Sequence, residues 1–118
     1  ITIHEKTFRL LLAKTPEEKT KGLGERDSLP QDTGMLFLSD HPEYPQFWMK
    51  GMRFPLDIIF IRDNTIVTIH HNLPNPTPEN QTYQIVTSTE LSDKVFEINA
   101  GLSQKYNFKV GDTVQISL

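Results

Sequence analysis

Four consecutive large apolar residues, Ile58-Ile59-Phe60-Ile61, constrain the fold of this chain more than any other feature. A strand that faces water on one side alternates apolar and polar residues, because successive side chains point to opposite faces of the sheet. This run does not alternate, so we expect a strand over residues 56–62 that is buried on both faces. Such a strand needs a covering layer on each side, for instance a helix on one of them.

Short segments typical of strands follow one another along the rest of the chain. They are rich in β-branched and aromatic residues and are separated by Gly, Pro, Asn or Asp, which favour turns. The predicted strands are residues 35–38, 46–50, 56–62, 65–71, 83–89, 94–99 and 113–118, with a hairpin or bent strand in residues 1–13. Asp63-Asn64 is the strongest hairpin signal, and three prolines in residues 72–81 predict an extended surface loop.

One short helix has both of its ends marked in the sequence. The side-chain oxygen of Thr15 is suited to cap the helix, and Pro16 is suited to its first position. The acidic residues Glu17 and Glu18 favour the positive end of the helix dipole. Gly22 is suited to end the helix, so we expect about two turns between these signals.

Seven or eight short strands and two short helices predict a mainly β architecture of the α+β class. Because closing a sheet removes its exposed edges, we expect a compact closed or nearly closed β-barrel rather than one open sheet. The length of 118 residues is that of one domain. A chain of this size removes roughly 65% of its unfolded surface from water, which suffices for a core. Residues 1–118 therefore predict a single domain.

Composition argues against several classes of partner. The formal charge is −3, with Lys and Arg interspersed among acids, so we expect no nucleic-acid binding. No apolar stretch approaches the roughly 20 residues of a membrane helix, so we expect no membrane insertion. The chain has no Cys and therefore neither a disulfide framework nor a thiol nucleophile. We expect a cytoplasmic protein, or an exported one if a leader was removed before Ile1.

Motifs for metal, cofactor and nucleophilic chemistry are also missing. His70 and His71 are neighbours on a predicted strand, so their side chains point to opposite faces and are badly placed to chelate one ion. Gly22-Leu23-Gly24 is followed by Asp27 where a dinucleotide fingerprint needs Gly. No phosphate-binding Gly-Lys-Ser/Thr loop and no Gly-x-Ser-x-Gly elbow occurs. We therefore expect no metal and no cofactor.

Residues 47–57 place the only Trp, two cations, a Pro and an acid directly before the buried strand. This segment resembles the core signature of the DUF192 (UPF0127) family of small prokaryotic proteins of uncharacterised function, and the resemblance extends over nearly the whole chain. Other matching positions are Ala13, Thr15, Glu18, Gly22, Leu23, Arg26, residues 34–37, residues 95–101 and Gly111-Asp112. Gly51-Met52 departs from the family, which often has Asn-Thr there. The resemblance implies a compact, mainly β domain.

The same segment contains the candidate site residues. Strand geometry puts Trp48 and Lys50 on one face, so an indole beside an ammonium group forms a candidate ligand wall. Asp57 begins the buried strand, where a carboxylate is costly unless a cation or backbone N–H groups satisfy it. Asp57 is therefore either a structural residue or a functional one.

We expect a binding site formed by Arg26, Trp48, Lys50, Asp57 and Glu97. In this interpretation, Arg26 or Lys50 holds an anionic or hydroxyl-rich ligand, and Asp57 accepts hydrogen bonds. The sequence favours a non-enzymatic domain that binds a small polar ligand or a segment of a protein partner. Two alternatives stay open. One is a hydrolase using Asp57 and Glu97, which needs carboxyl groups roughly 5 to 9.5 Å apart. The other is an accessory structural module without a ligand.

Overall fold

The computed structural model describes residues 1–118 and consists of nine strands and two short helices. In chain order these are β1 (Thr2–Ile3), β2 (Lys6–Thr7), β3 (Arg9–Ala13), α1 (Pro16–Lys21), β4 (Thr33–Glu43), β5 (Gln46–Trp48), β6 (Leu56–Arg62), β7 (Thr65–Leu73), β8 (Ile85–Thr87), β9 (Ser92–Asn99) and α2 (Leu102–Lys105). The prediction of a mainly β domain with two short helices is confirmed. Neither helix combines the length and the hydrophobicity needed to span a membrane.

The strands form one large sheet and two small ones. The large sheet has five strands in the order β3-β4-β9-β6-β7, and β1-β2 and β5-β8 form separate two-stranded sheets. Strands β3 and β4 are parallel, whereas the other neighbours in the large sheet are antiparallel. No sheet closes on itself, so the predicted barrel is not confirmed. Covering layers bury both faces of the open sheet, and the core is therefore complete without closure.

The large sheet separates two hydrophobic cores. The first core lies between the sheet and both ends of the chain, and its members are Ile1, Ile3, Phe8, Leu36, Ile59, Ile61, Ile66, Phe96, Ile98, Leu102, Phe108 and Val114. The second lies under the loops after α1 and β5, and its members are Ala13, Leu23, Leu29, Met35, Phe37, Met49, Met52, Leu56, Ile58, Phe60, Leu73 and Val95. Successive residues of β6 enter different cores. The prediction of a strand buried on both faces is confirmed.

The predicted hairpin at Asp63-Asn64 is present in the structure, whereas the predicted C-terminal strand is not. Asp63-Asn64 joins β6 to its antiparallel neighbour β7, with Asp63 in the left-handed region at a φ of 54°. Residues 113–118 do not form a strand and make only two isolated bridges, Thr65 with Thr113 and Thr2 with Gln115. The segment contacts two different strands in turn, so it has no single partner along which a ladder extends.

Helix α1 has the predicted ends. The Thr15 hydroxyl accepts a hydrogen bond from the backbone N–H of Glu18 at 3.1 Å, and the Glu18 carboxylate accepts one from the Thr15 N–H at 3.0 Å. The backbone N–H groups of Thr15 and Lys14, which both donate to the Glu18 carboxylate, hold the pKa of Glu18 below its ordinary value. Pro16 is the first helical residue, and Gly22 caps the other end. Reciprocal bonds of this kind satisfy N–H groups that a helix start leaves without partners.

We expect Thr15→Ala to lower the free energy of unfolding by about 1 kcal/mol, because two donors at the helix start lose a partner or its geometry. Urea unfolding monitored by circular dichroism measures the change. Thr20→Ala is the matched control, since Thr20 lies inside α1 and makes no capping bond. The control should be neutral or slightly stabilising, because Ala has the higher helix propensity. Equal losses in both variants would contradict the capping role of Thr15.

Candidate functional site

A cleft of about 450 Å³ opens on the second-core face of the large sheet. Its floor is formed by β4 and β9 through Phe37, Val95 and Glu97, and α1 with Gly22 forms one side. The small β5-β8 sheet forms the other side, with Phe47, Trp48 and Ile85 among its residues. The volume lies in the range of small-molecule sites, which is about 300 to 1,000 Å³.

Strand alternation and one glycine bring Glu97 to the floor of the cleft. In β9, Val95 enters the second core and Phe96 enters the first, so Glu97 shares the cleft face with Val95. Gly22 lies above Glu97 with a backbone φ of 50°, a value that residues with a side chain rarely adopt. A Cβ atom added at Gly22 would be 3.2 Å from Phe37 Cζ and 3.7 Å from Glu97 Oε1. Glycine at this position therefore lets the end of α1 approach the floor closely.

The Glu97 side chain is only 4% exposed and has no partner within the protein. Its carboxyl group takes part in none of the hydrogen bonds of the structure. Ser92 Oγ is the one fully enclosed side-chain polar atom without a partner, so the Glu97 oxygens open onto the cleft. Burial raises the pKa of Glu97 to about 8. At pH 7 the carboxyl group is therefore mostly protonated, and it offers the cleft an O–H donor and a carbonyl acceptor.

An aromatic and cationic wall faces this floor. Trp48 is 43% exposed, and Lys50 Nζ lies 5.3 Å from the centre of its ring. The Tyr83 ring contacts Trp48 edge to face, with 6.2 Å between centroids. Phe47 packs edge to face against Phe37 at 4.7 Å between centroids. The indole is therefore held by neighbours but keeps much of its surface free for a ligand.

Charged groups are unevenly distributed along the cleft. Three lysines, Lys19, Lys21 and Lys50, line the end formed by α1 and the segment after β5. At the other end, Glu43 accepts a hydrogen bond from the Ser39 hydroxyl at 3.0 Å. In the same region, Asp93 accepts one from Lys94 Nζ at 3.1 Å. Four lysines, including Lys94, line the cleft against the two carboxylates Glu43 and Asp93 and the protonated Glu97, so the net charge of the cleft is positive.

Asp57 lies on the opposite face of the large sheet and is 0% exposed. Its Oδ1 atom accepts hydrogen bonds from the backbone N–H groups of Asn72 at 2.8 Å and Gly101 at 3.1 Å. Its Oδ2 atom accepts one from the Ser103 N–H at 2.9 Å and another from the Ser103 hydroxyl. These bonds join β6 to the end of β7 and the start of α2. In this environment Asp57 links three elements of the fold.

Ser103, His71 and Asp57 contain the residue types of a hydrolase triad in an unsuitable arrangement. His71 Nδ1 is 2.8 Å from Ser103 Oγ, but Asp57 contacts the serine rather than the histidine. In a triad the acid orients the histidine, and the serine is open to substrate. Ser103 is 0% exposed. The cluster therefore stabilises α2 and offers no accessible nucleophile.

The cleft brings together three of the five predicted site residues, Trp48, Lys50 and Glu97. Asp57 and Arg26 do not line it, and Arg26 is exposed beside the turn after α1. In the β6-β9 ladder, Asp57 pairs with Ile98 and Glu97 pairs with Ile58. The two carboxyl groups therefore point to opposite faces of the sheet, and the predicted pair of a hydrolase does not face a common space.

Sequence reasoning missed the part of the site that comes from α1 and β4. Lys19, Lys21 and Phe37 line the cleft, although their positions in the chain lie far from the Trp48 segment. The only sequence signal for these residues was Gly22. Its position directly after α1 lets the end of the helix approach the floor of the cleft closely. The structure contains no cluster of three or more His, Cys, Asp or Glu side chains that is suited to hold a metal ion.

Comparisons with known proteins place the chain among proteins of similar sequence and fold. The model of the DUF192 family, described as "Uncharacterized ACR, COG1430", matches residues 1–116. A protein of unknown function from Novosphingobium aromaticivorans DSM 12444 is 36% identical with a TM-score of 0.80, over 92% of this chain and 75% of that chain. A "putative transcription regulator" from Sinorhizobium meliloti 1021 is 34% identical with a TM-score of 0.80, over 88% and 78%. No curated protein matches the chain.

Proposed function

The chain belongs to the DUF192 family, and we propose that it is a non-enzymatic domain that binds a small polar ligand in the cleft beside Trp48. The observation that carries the proposal is the unpartnered carboxyl group of Glu97, which is 4% exposed and opens onto the cleft. Buried polar groups nearly always have hydrogen-bond partners within the protein or in water. A ligand in the cleft can supply the hydrogen-bond partner that the Glu97 carboxyl group lacks within the protein.

The surroundings of Glu97 support binding rather than catalysis. A general acid or base needs a second group that attacks, activates water or stabilises charge at the reacting atoms. Asp57 is on the other face of the sheet, and the Ser103 hydroxyl is fully buried there. The lysines at the cleft are suited to attract an anion, but none is held against the Glu97 carboxyl group. The arrangement therefore supports recognition of a ligand without a reaction.

The description of the Sinorhizobium meliloti relative raises the question of DNA contact. A recognition helix enters the major groove with several side chains on one face. Here α1 has six residues and α2 has four, and the formal net charge of the chain is −3. Contact with DNA through a helix is therefore not part of the proposal.

A protein segment is the second candidate ligand, because apolar side chains are exposed next to the cleft. Ile85 is 59% exposed and pairs with Trp48 in the small β5-β8 sheet, and Tyr83 is 38% exposed. Exposed aromatic residues grouped beside a cleft are typical of sites that bind peptides as well as small molecules. The cleft and its net positive charge favour the small ligand.

A thermal-shift panel of carboxylates, phosphates, nucleotides and sugars tests the proposal. A ligand at 100 times its dissociation constant adds about 2.7 kcal/mol to the stability of the native state. For a domain of this size, that gain raises the melting temperature by roughly 8 °C. Trp48→Ala and Lys50→Ala should each reduce the shift, because they remove the ring and the charge that face the ligand.

Lys109→Ala is the matched control for Lys50→Ala, since Lys109 is exposed and does not line the cleft. It should keep the full ligand-induced shift. A shift that survives in Trp48→Ala and Lys50→Ala would place the ligand elsewhere. If no compound in the panel raises the melting temperature, that result would contradict the small-ligand proposal and favour a protein segment as the ligand.

A further inference from the structure

We infer that the cleft binds an organic anion with two unlike ends. An uncharged planar group with a hydrogen-bond acceptor contacts Glu97 on the floor, and a carboxylate or phosphate stays at the mouth beside Lys21 and Lys50. The inference rests on the proposed function and adds the chemical class of the ligand. Three observations carry it: the state of the floor, the position of the cations and the shape of the walls.

The floor accepts an uncharged polar group. The Glu97 carboxyl group is 4% exposed and has no partner in the protein. Because burial raises its pKa to about 8, it carries a proton at neutral pH and donates that proton to an acceptor. A charged group at this depth would leave water without an opposite charge beside it, which is costly. A carbonyl or ether oxygen is therefore the best partner for the floor.

The positive charge belongs to the mouth of the cleft rather than to the floor. None of the ion pairs of the structure involves the Glu97 carboxyl group, although four lysines line the cleft. The Lys21 side chain is 66% exposed and reaches only Glu25, whose carboxylate is 3.8 Å from its Nζ atom. Lys50 is exposed and lies over the Trp48 ring. An anionic group that stays at the mouth thus meets two cations without losing its contact with water.

The walls between floor and mouth suit a flat group. Phe47 contacts Phe37 of the floor edge to face, and Trp48 continues the wall to the surface. Aromatic walls of this kind bury a ring by stacking or by edge contacts. A ligand with an aromatic or conjugated body therefore fills the space between the carboxyl group of Glu97 and the lysines.

Ionisation of Glu97 should weaken binding, because the acid then loses its donor and its charge repels the anion. The other titratable groups that line the cleft are Lys19, Lys21, Glu43, Lys50, Asp93 and Lys94. Glu43 and Asp93 have partners within the protein, and burial raises the pKa of Glu97 to about 8, inside the range tested. Between pH 7 and pH 9 the main change is therefore at Glu97. Affinity for the anion should fall about tenfold over this range.

Four matched probes test the class of ligand. 4-Acetylbenzoate carries a carbonyl and a carboxylate at opposite ends of a ring, and 4-acetylphenyl phosphate carries a phosphate instead. 4-Isopropylbenzoate keeps the shape but lacks the acceptor, and 4-acetylbenzamide lacks the charge. The chain has one Trp, so the indole N–H of Trp48 gives a single nuclear magnetic resonance signal that reports each titration. We expect one or both acetylated anions to bind at least several-fold more tightly than either analogue, and the stronger one identifies the head group.

Variants separate the two contacts. In Glu97→Gln the ratio of the affinities at pH 7 and pH 9 should approach one, whereas the wild type loses about tenfold. The double variant Lys21→Ala/Lys50→Ala should weaken both anions and leave the weak binding of 4-acetylbenzamide unchanged. Equal affinity for all four probes, or a wild-type affinity that does not change with pH, would overturn the inference. Failure of these probes while a compound of the thermal-shift panel binds in the cleft also overturns the inference but leaves the proposed function standing. If no compound of that panel binds, the proposed function fails as well.

Discussion

Replacement of Asp57 by Asn should lower the free energy of unfolding by about 3 kcal/mol or more, the largest loss we expect from a single conservative substitution. The Asp57 carboxylate accepts bonds from Asn72, Gly101 and Ser103 on both of its oxygens, and it is 0% exposed. Asparagine has one oxygen, so its NH₂ group faces N–H donors on one side and leaves them unsatisfied. The melting temperature should fall by roughly 10 °C or more.

Asp27→Asn is the control for this substitution. The Asp27 side chain is 89% exposed and contacts Arg53 at 2.7 Å, and exposed ion pairs contribute little. We expect its melting temperature to stay within about 2 °C of the wild type. Chemical unfolding of both variants measures the difference. If Asp57→Asn is as stable as Asp27→Asn, the carboxylate does not hold β6, β7 and α2 together.

Glu97→Gln should make the protein more stable at pH 8, because glutamine cannot ionise in the buried position. Burial raises the pKa of Glu97 from 4.5 to about 8, so between these pH values the folded state binds more protons than the unfolded state. The stability of the wild type therefore falls as the pH rises through this window, by up to about 1.4 kcal/mol per pH unit. Glutamine has no proton to lose, and the variant lacks this decrease.

Unfolding curves of both proteins between pH 4 and pH 9 measure this effect. The difference in unfolding free energy should be nearly constant below pH 4.5, grow up to pH 8 and level off above it. Glu18 and Asp40, whose hydrogen bonds lower their pKa values, act in both proteins and cancel in the difference. Glu79→Gln, in an exposed loop, is the control and should follow the wild type. A difference that does not grow with pH would contradict the buried, protonated state of Glu97.

The outcomes for Asp57 and Glu97 illustrate what sequence patterns determine. Both residues lie in strands that the sequence predicts, at 56–62 and 94–99, and the observed strands β6 and β9 match these ranges closely. Alternation within residues 46–50 also places Trp48 and Lys50 at the surface and Met49 in the core. These features depend on neighbours in the chain, so local sequence is sufficient for them.

The role of each carboxylate depends on contacts between distant segments. Strand β9 pairs with β4 on one side and with β6 on the other. A shift of one residue in the β6-β9 register would put Asp57 and Glu97 on the same face of the sheet. No local pattern determines which face of the sheet contacts the N–H groups at the start of α2. Nor does one determine which face lies against the C-terminal end of α1. The sequence therefore identified both acids as candidates and did not separate the structural one from the one in the cleft.

Local patterns determined the buried central strand, the hairpin at Asp63-Asn64 and both ends of α1, because each depends on residues only a few positions apart. Tertiary structure alone decided that the sheet stays open, that residues 113–118 form bridges instead of a strand, and that α1 and the Trp48 segment line opposite sides of one cleft. The physical reason is that closure, strand partners and clefts arise from the burial of apolar surface between segments far apart in the chain. That burial placed Glu97 beneath Gly22 and Asp57 beneath the start of α2.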